Sequence, residues 1–311
     1  MARFGLQALR PATSLAGSVF GGSRARALFA GIAAHSIMPL DDPASAAIGI
    51  VLATIGHAVG WPIPRGGSQR ISNALAGYLQ SLGGEIRTES RVSRLPEADL
   101  VMCDVSPRQL LQLGGAQWPE SFRRSLAAYR YGPGTFKVDW ALEGPIPWTA
   151  PECARAGTVH VGGTMEEIAA WEGHYKGKPW VLLAQQSLFD NSRAPSGHHT
   201  AWAYCHVPNG STQDMTRAIE DQVERFAPGF RQRILARHML FPADLERRNA
   251  NLVGGDIAGG AMDLRQLVFR PTRRQYGTPI RNVYICSAST PPGAAVHGMC
   301  GYNAVKEALG K

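Results

Sequence analysis

The alternation of apolar and polar positions divides the chain into short strands and helices. Val283 to Ser287 is an apolar or small run bounded by turn residues and predicts a buried strand; Tyr302 to Leu309 is a run of helix formers with Lys306 near its end. Between them, Pro291-Pro292-Gly293 marks a turn, and Gly293, Gly298 and Gly301 let the backbone approach a ligand closely. Free N–H groups and the helix dipole favour negative charge at such a helix start, so the junction is a candidate seat for an anion or cofactor. A plain strand-to-helix connection carries the same pattern, and the residues alone leave both readings open.

The same periodicities place the other elements. Ile71, Leu75, Tyr78, Leu79 and Leu82 predict a helix over Ser68 to Leu82, stopped by Gly83-Gly84, with a strand following at Glu85 to Thr88. Leu100 to Asp104 reads as a buried strand, and Ser106 as the cap of a helix from Pro107 to Leu113. Thr135, Lys137 and Asp139 alternate with Phe136, Val138 and Trp140, so a strand there puts its charged pair on one face and its apolar trio on the other. Val181 to Leu188 and His199 to Val207 are further strands, and Asp214 to Phe226 is an amphipathic helix stopped by Pro228-Gly229. Near the start, Ala27 to Leu40 and Ala44 to Trp61 read as helices. No residue from Pro43 to Pro64 is charged, but Ser45, Thr54, His57, three glycines and a Trp-Pro-Ile-Pro ending make a poor membrane span.

Composition narrows the function classes. With 311 residues, 44% hydrophobic and 18% charged, the chain can bury a substantial core in one large or two interleaved domains. Five cysteines, an odd count with no C-x-x-C pair, fit reduced thiols in a cytoplasmic setting. The excess of 32 Lys and Arg over 24 Asp and Glu is scattered; the pairs Arg123-Arg124, Arg247-Arg248 and Arg273-Arg274 lack a basic-aromatic stripe, so no nucleic-acid partner is expected. The nine histidines show no metal-ligand spacing, and no metal site is expected. Asn209-Gly-Ser211 fits a glycosylation sequon but is explained by a Pro-Asn-Gly turn. No acidic residue precedes Asp41, whereas Arg3, Arg10, Arg24 and Arg26 are spread among Ser, Ala and Gly; a transit peptide and a basic helix pair both fit.

Two ordered blocks carry a family resemblance. The C-terminal segment from Asn282 to Leu309 resembles the flavin-contacting motif of the phytoene desaturase-like flavoproteins, and Gly60-Trp-Pro-Ile-Pro-Arg-Gly-Gly through Thr88 resembles their proline-arginine-glycine-glycine turn, helix and strand. Phe136 to Leu142, Arg225 to Phe230 and Asn251 to Ile257 look like the branch that includes pyridine nucleotide-disulfide oxidoreductase domain-containing protein 2. The resemblance implies FAD as cofactor, with Val92 at the adenine and Ser287, Ser289, Pro292, Val296, His297 and Gly298 along the flavin. It also implies an apolar small-molecule substrate, with Asp256 in a glycine-rich loop near the cavity, and reoxidation by oxygen or a membrane quinone. Lys137 and His297 are the catalytic candidates, the lysine because one on a substrate-domain strand of the wider amine-oxidase-like superfamily often faces flavin N5. An exposed lysine paired with Asp139 is the alternative for Lys137. The apolar helices near the start would line the cavity and bring peripheral membrane contact at its mouth.

The family opens with a βαβ unit carrying G-x-G-x-x-G for the FAD pyrophosphate, and no such motif occurs in these residues. The expectation is therefore an N-terminally truncated FAD-dependent oxidoreductase, completed by a subunit that supplies the missing unit; the alternative is a non-catalytic remnant that binds a hydrophobic ligand or a partner subunit. The fold class expected is α/β, of mixed α+β type. An incomplete Rossmann-like FAD domain, residues 61–115 and 276–311, is interleaved with a substrate domain made of a helical part, 1–60, and a mixed sheet with helices, 116–275.

Overall fold

A computed structural model of the chain describes residues 2–310. Four helices come first: α1 (Ala2–Ala8), α2 (Ala12–Val19), α3 (Ser23–Ala33) and α4 (Ser45–Val59). α3 and α4 pack closely because Gly49 has no side chain; a Cβ there would sit 3.0 Å from the Ala33 Cβ and from the Phe29 ring. α4 buries only Ser45, Ala46 and Gly49, and no helix among the described residues is long and apolar enough to cross a membrane.

α5 (Gln69–Ser81) forms where periodicity puts it, but none of its residues is buried. The stripe predicted to face a core, Ile71, Leu75, Tyr78, Leu79 and Leu82, is 41–68% exposed. The strand predicted at Glu85 to Thr88 does not form, and residues 84–100 contain no helix or strand. A strand is stable only when a neighbour completes its ladder, and no described strand lies alongside; Ile86 stays 43% exposed.

A short strand and two helices come next. β1 (Val101–Cys103) leads to α6 (Pro107–Gly114) and α7 (Glu120–Ala127). α6 starts at a capping box: the Ser106 hydroxyl accepts from the Gln109 amide at 3.4 Å, and Gln109 Oε1 accepts from the Ser106 amide at 3.2 Å. Ser106→Ala is expected to lower stability by about 1 kcal/mol, read as a shifted urea midpoint at constant slope. An unchanged midpoint would mean that α6 stands without its cap.

A five-stranded antiparallel sheet holds the larger hydrophobic cluster. β2 (Gly134–Leu142), β3 (Thr158–Val161), β4 (Val181–Ala184), β5 (His199–Val207) and β6 (Ile234–Leu240) are ordered β3-β4-β5-β2-β6. β4 stops short of the predicted Leu188 because Gln185 turns its side-chain amide onto the carbonyls of Cys153 and Ala156, at 2.6 and 2.7 Å. α8 (Met165–His174), α9 (Thr216–Phe226), α10 (Pro242–Arg248) and α11 (Leu264–Val268) surround the sheet, and β7 (Val283–Ile285) and α12 (Met299–Ala308) close the chain. β7 pairs in parallel with β1, at Val101 to Val283 through Cys103 to Ile285. Parallel and antiparallel pairing are thus kept in separate sheets. The predicted alternation of β2 holds: Phe136, Val138 and Trp140 are buried to 2% exposure or less, and the Trp140 indole donates to Glu220 of α9 at 3.0 Å.

Two hydrophobic clusters result. One joins α2, α3, β2 to β5 and α9; the other joins β1, α6, α7 and β7 around Trp118 and Phe122. All five cysteines are free thiols. Burial pushes Cys103 up to about 11 and Cys286 up to about 12, so both are neutral near pH 7.

Candidate functional site

The strand-turn-helix unit at the C-terminus has two layers. Its inner layer is polar but closed: Ser287 and Ser289 are 3% and 2% exposed and hydrogen-bond to each other at 2.7 Å, and the Thr290 hydroxyl donates to the Ser287 carbonyl at 2.8 Å. The Cys300 thiol reaches the carbonyls of Thr290 and Gly293, tying α12 to the turn. The two serines shape the turn and keep their hydroxyls inside it.

The outer layer is open. Pro292 and residues 294–299 are exposed, Val296 at 89%, and Gly298 takes φ +63° at the N-cap of α12. The backbone amides of Val296, His297 and Gly298 have no acceptor among the described residues, and the Met299 amide donates to His297 Nδ1 at 3.0 Å. That bond fixes the remaining imidazole proton on Nε2. Unpaired donors at the start of a helix suit a ligand that carries or develops negative charge.

A buried cation holds this turn to the rest of the fold. Arg270, 1% exposed, points its guanidinium at the carbonyls of Ala258, Gly259, Ala288 and Ser289, at 3.0–3.4 Å. The Tyr129 hydroxyl also donates to the Gly259 carbonyl, at 2.7 Å. Asp256, fully buried, accepts from the amides of Gly132 and Ala258 at 2.8 and 2.6 Å. Burial, the largest influence, pushes the Asp256 carboxyl above its ordinary range, while those amides and Arg270 pull it down. Asp256 therefore connects the 258–260 loop to the segment entering β2, and its oxygens face protein amides. The C-terminal turn, the glycine loop and the start of β2 are joined through Arg270, Asp256 and Tyr129. None of the cross-links was legible as a motif, because the partners are backbone groups far away in sequence.

The other predicted residues are spread apart. Val92 lies 57% exposed in the irregular stretch after α5. Lys137 ion-pairs with Asp139 and sits over the Trp202 ring, 5.4 Å from its centroid. Cross-strand partners share a face, so the registers Lys137 to Tyr204 and Asp139 to Trp202 put all four on the side opposite α9. Trp202 and Tyr204 stack there at 6.2 Å, and farther along His35 Nε2 and His160 Nε2 meet at 2.8 Å beside Trp180. The period-two string Trp202, Tyr204, His206 carried a signal for this face; the His35–His160 pairing carried none.

Comparison with known proteins adds to this geometry. No family model matches the chain. It is 26% identical to the rat (Rattus norvegicus) pyridine nucleotide-disulfide oxidoreductase domain-containing protein 2, over 78% of this chain and 50% of that protein. It is 23% identical to the lycopene-forming phytoene desaturase of a Paracoccus species, over 76% of this chain and 52% of the enzyme. The chain is related to the phytoene desaturase-like oxidoreductases. It spans about half the length of the curated relatives it matches. A crystal structure of an oxidoreductase from Methanosarcina mazei superposes with a TM-score of 0.66 over 96% of this chain and 68% of that one; at 16% identity, the likeness is one of fold.

Proposed function

We propose that this chain carries the flavin-contacting and substrate-domain parts of an FAD-dependent oxidoreductase that acts on an apolar substrate. The observation that carries the reading is the open row of unpaired amides at Val296, His297 and Gly298, set at a helix N-terminus in a chain related to such enzymes. Bound there, FAD would supply two-electron oxidation chemistry, with negative charge growing on the pyrimidine end of its ring. The amides and the dipole of α12 would stabilise that charge, His297 Nε2–H would be one further donor, and Arg270 would hold the turn in register. The face bearing Lys137, Asp139, Trp202 and Tyr204 would orient the substrate. Val92 would meet the adenine, and Asp256 would act on substrate only through the loop it fixes.

Two exposed apolar surfaces bear on the partners. The bare stripe of α5 is where further chain or a partner subunit would complete the FAD-binding half. Val51, Ile55, Val59, Trp61 and Ile63, each 37% exposed or more, would support peripheral membrane contact beside the substrate face. Purified protein titrated with FAD is expected to show perturbed flavin absorbance and quenched flavin fluorescence, weakened by at least tenfold in Val296→Pro, which removes one of the three amide donors at a residue outside the left-handed region. Protein that stays colourless and leaves FAD fluorescence untouched would overturn the reading in favour of a remnant that binds a hydrophobic ligand or a partner.

A further inference from the structure

A cleft of about 760 Å³ opens between α7 and the segment from Arg265 to Pro279, and its arginines play no part in the proposed flavin site. Its floor is closed and its rim is cationic. Phe122, Gln266, Pro271 and Thr272 are buried beneath it, while Arg124, Arg130, Arg265, Arg273 and Arg274 line it with exposed side chains. Two of these guanidiniums have carboxylate partners: Arg124 meets Glu120 at 2.9 Å and Arg130 meets Asp263 at 2.5 Å. Arg265, Arg273 and Arg274 have no ion pair and no side-chain hydrogen bond among the described residues, and no other carboxylate lines the cleft. Phe269, 46% exposed, adds a flat apolar wall, with the Arg273 guanidinium over its ring at 5.5 Å.

The walls are set before any ligand arrives. Gln266 spans the cleft base, donating to the carbonyls of Arg130 and Ala261 and accepting from the Arg130 amide, at 2.9–3.0 Å. The Thr272 hydroxyl accepts from the Arg274 amide at 3.2 Å, fixing the turn that presents Arg273 and Arg274. Like charges gathered without counter-charges repel one another, and an anion with several oxygens relieves that repulsion. Arginine forks match phosphate oxygens in pairs, and an aromatic face beside them suits a planar base. The volume lies in the range that encloses one small molecule.

We propose that this cleft binds a soluble molecule with two or more adjacent phosphates and a planar ring, of the nucleoside di- or triphosphate class. The test is isothermal titration of the whole chain at low salt with ATP, inorganic tripolyphosphate and adenosine, alongside flotation with phosphatidylglycerol vesicles. ATP and tripolyphosphate are expected to saturate one site, ATP more tightly, with adenosine silent and binding that weakens steeply as salt is added. Arg273→Gln/Arg274→Gln should weaken ATP by roughly tenfold per guanidinium removed, while the remote control Arg91→Gln leaves it unchanged. Undiminished affinity in the double variant, no saturable heat with either polyphosphate, or attachment to vesicles alone would each overturn the assignment.

Discussion

Arg270→Met is expected to lower the unfolding free energy by about 3–5 kcal/mol and to loosen the C-terminal turn before the rest of the chain. The size follows from what the guanidinium does. It is 1% exposed and faces four backbone carbonyls, two from the 258–259 loop and two from the turn after β7. Removing it leaves the carbonyls of Ala258, Ala288 and Ser289 without donors, each at the full desolvation penalty of an unmade hydrogen bond, while the Gly259 carbonyl keeps the Tyr129 hydroxyl. Arg270→Lys should recover only part of the loss, since an ammonium offers its donors from a point and cannot reach both segments as the planar fork does. Urea unfolding followed at Trp fluorescence gives the global loss, and amide exchange at residues 287–299 gives the local one. A midpoint for Arg270→Met within about 0.5 kcal/mol of the parent would show that water replaces the guanidinium without penalty, and that the turn does not depend on this clamp.

The contrast between Ser106 and Arg270 separates what the sequence reveals from what it hides. Ser106 acts on residues three positions away, so the box with Gln109 and the start of α6 are both visible in the string. The same holds for β2, whose alternation states which face is buried, and for α9. Arg270 acts on carbonyls, which every residue has, so no side-chain pattern marks it. The failure at Glu85 to Thr88 has a related cause: a strand's stability resides in its neighbour, and the local pattern does not say whether one is there. The arginine cleft is hidden by distance along the chain. Arg124 and the pair Arg273-Arg274 look unconnected until α7 and the 265–279 segment are laid side by side. For the candidate site, the turn and its glycines were legible, whereas the division into a closed serine layer and an open amide layer required the fold.

Acid is expected to unfold the parent protein earlier than a variant without the paired imidazoles of His35 and His160. Burial, aided for His35 by the neighbouring His160 and His206, lowers His35 to about 3, and burial lowers His160 to about 4. The hydrogen bond between the two Nε2 atoms fits two neutral rings, one donating and one accepting. In the unfolded chain both titrate near the ordinary value of 6.5. Below that pH the unfolded state takes up protons that the folded state refuses, so stability falls as the pH drops, until the folded rings themselves titrate near 4 and 3. At pH 4.5 the loss is on the order of 2 kcal/mol per ring, from about 1.4 kcal/mol per unit of displacement. Carboxylates lowered by partners, such as Glu167 beside Arg225, add their own acid sensitivity, so the decisive comparison is between proteins at equal pH. His35→Gln/His160→Gln keeps a polar pair in the same space and removes both proton sites. Urea midpoints at pH 7 and 4.5 should then differ by several kcal/mol less in the double variant than in the parent, and parallel losses in the two proteins would place the acid sensitivity elsewhere.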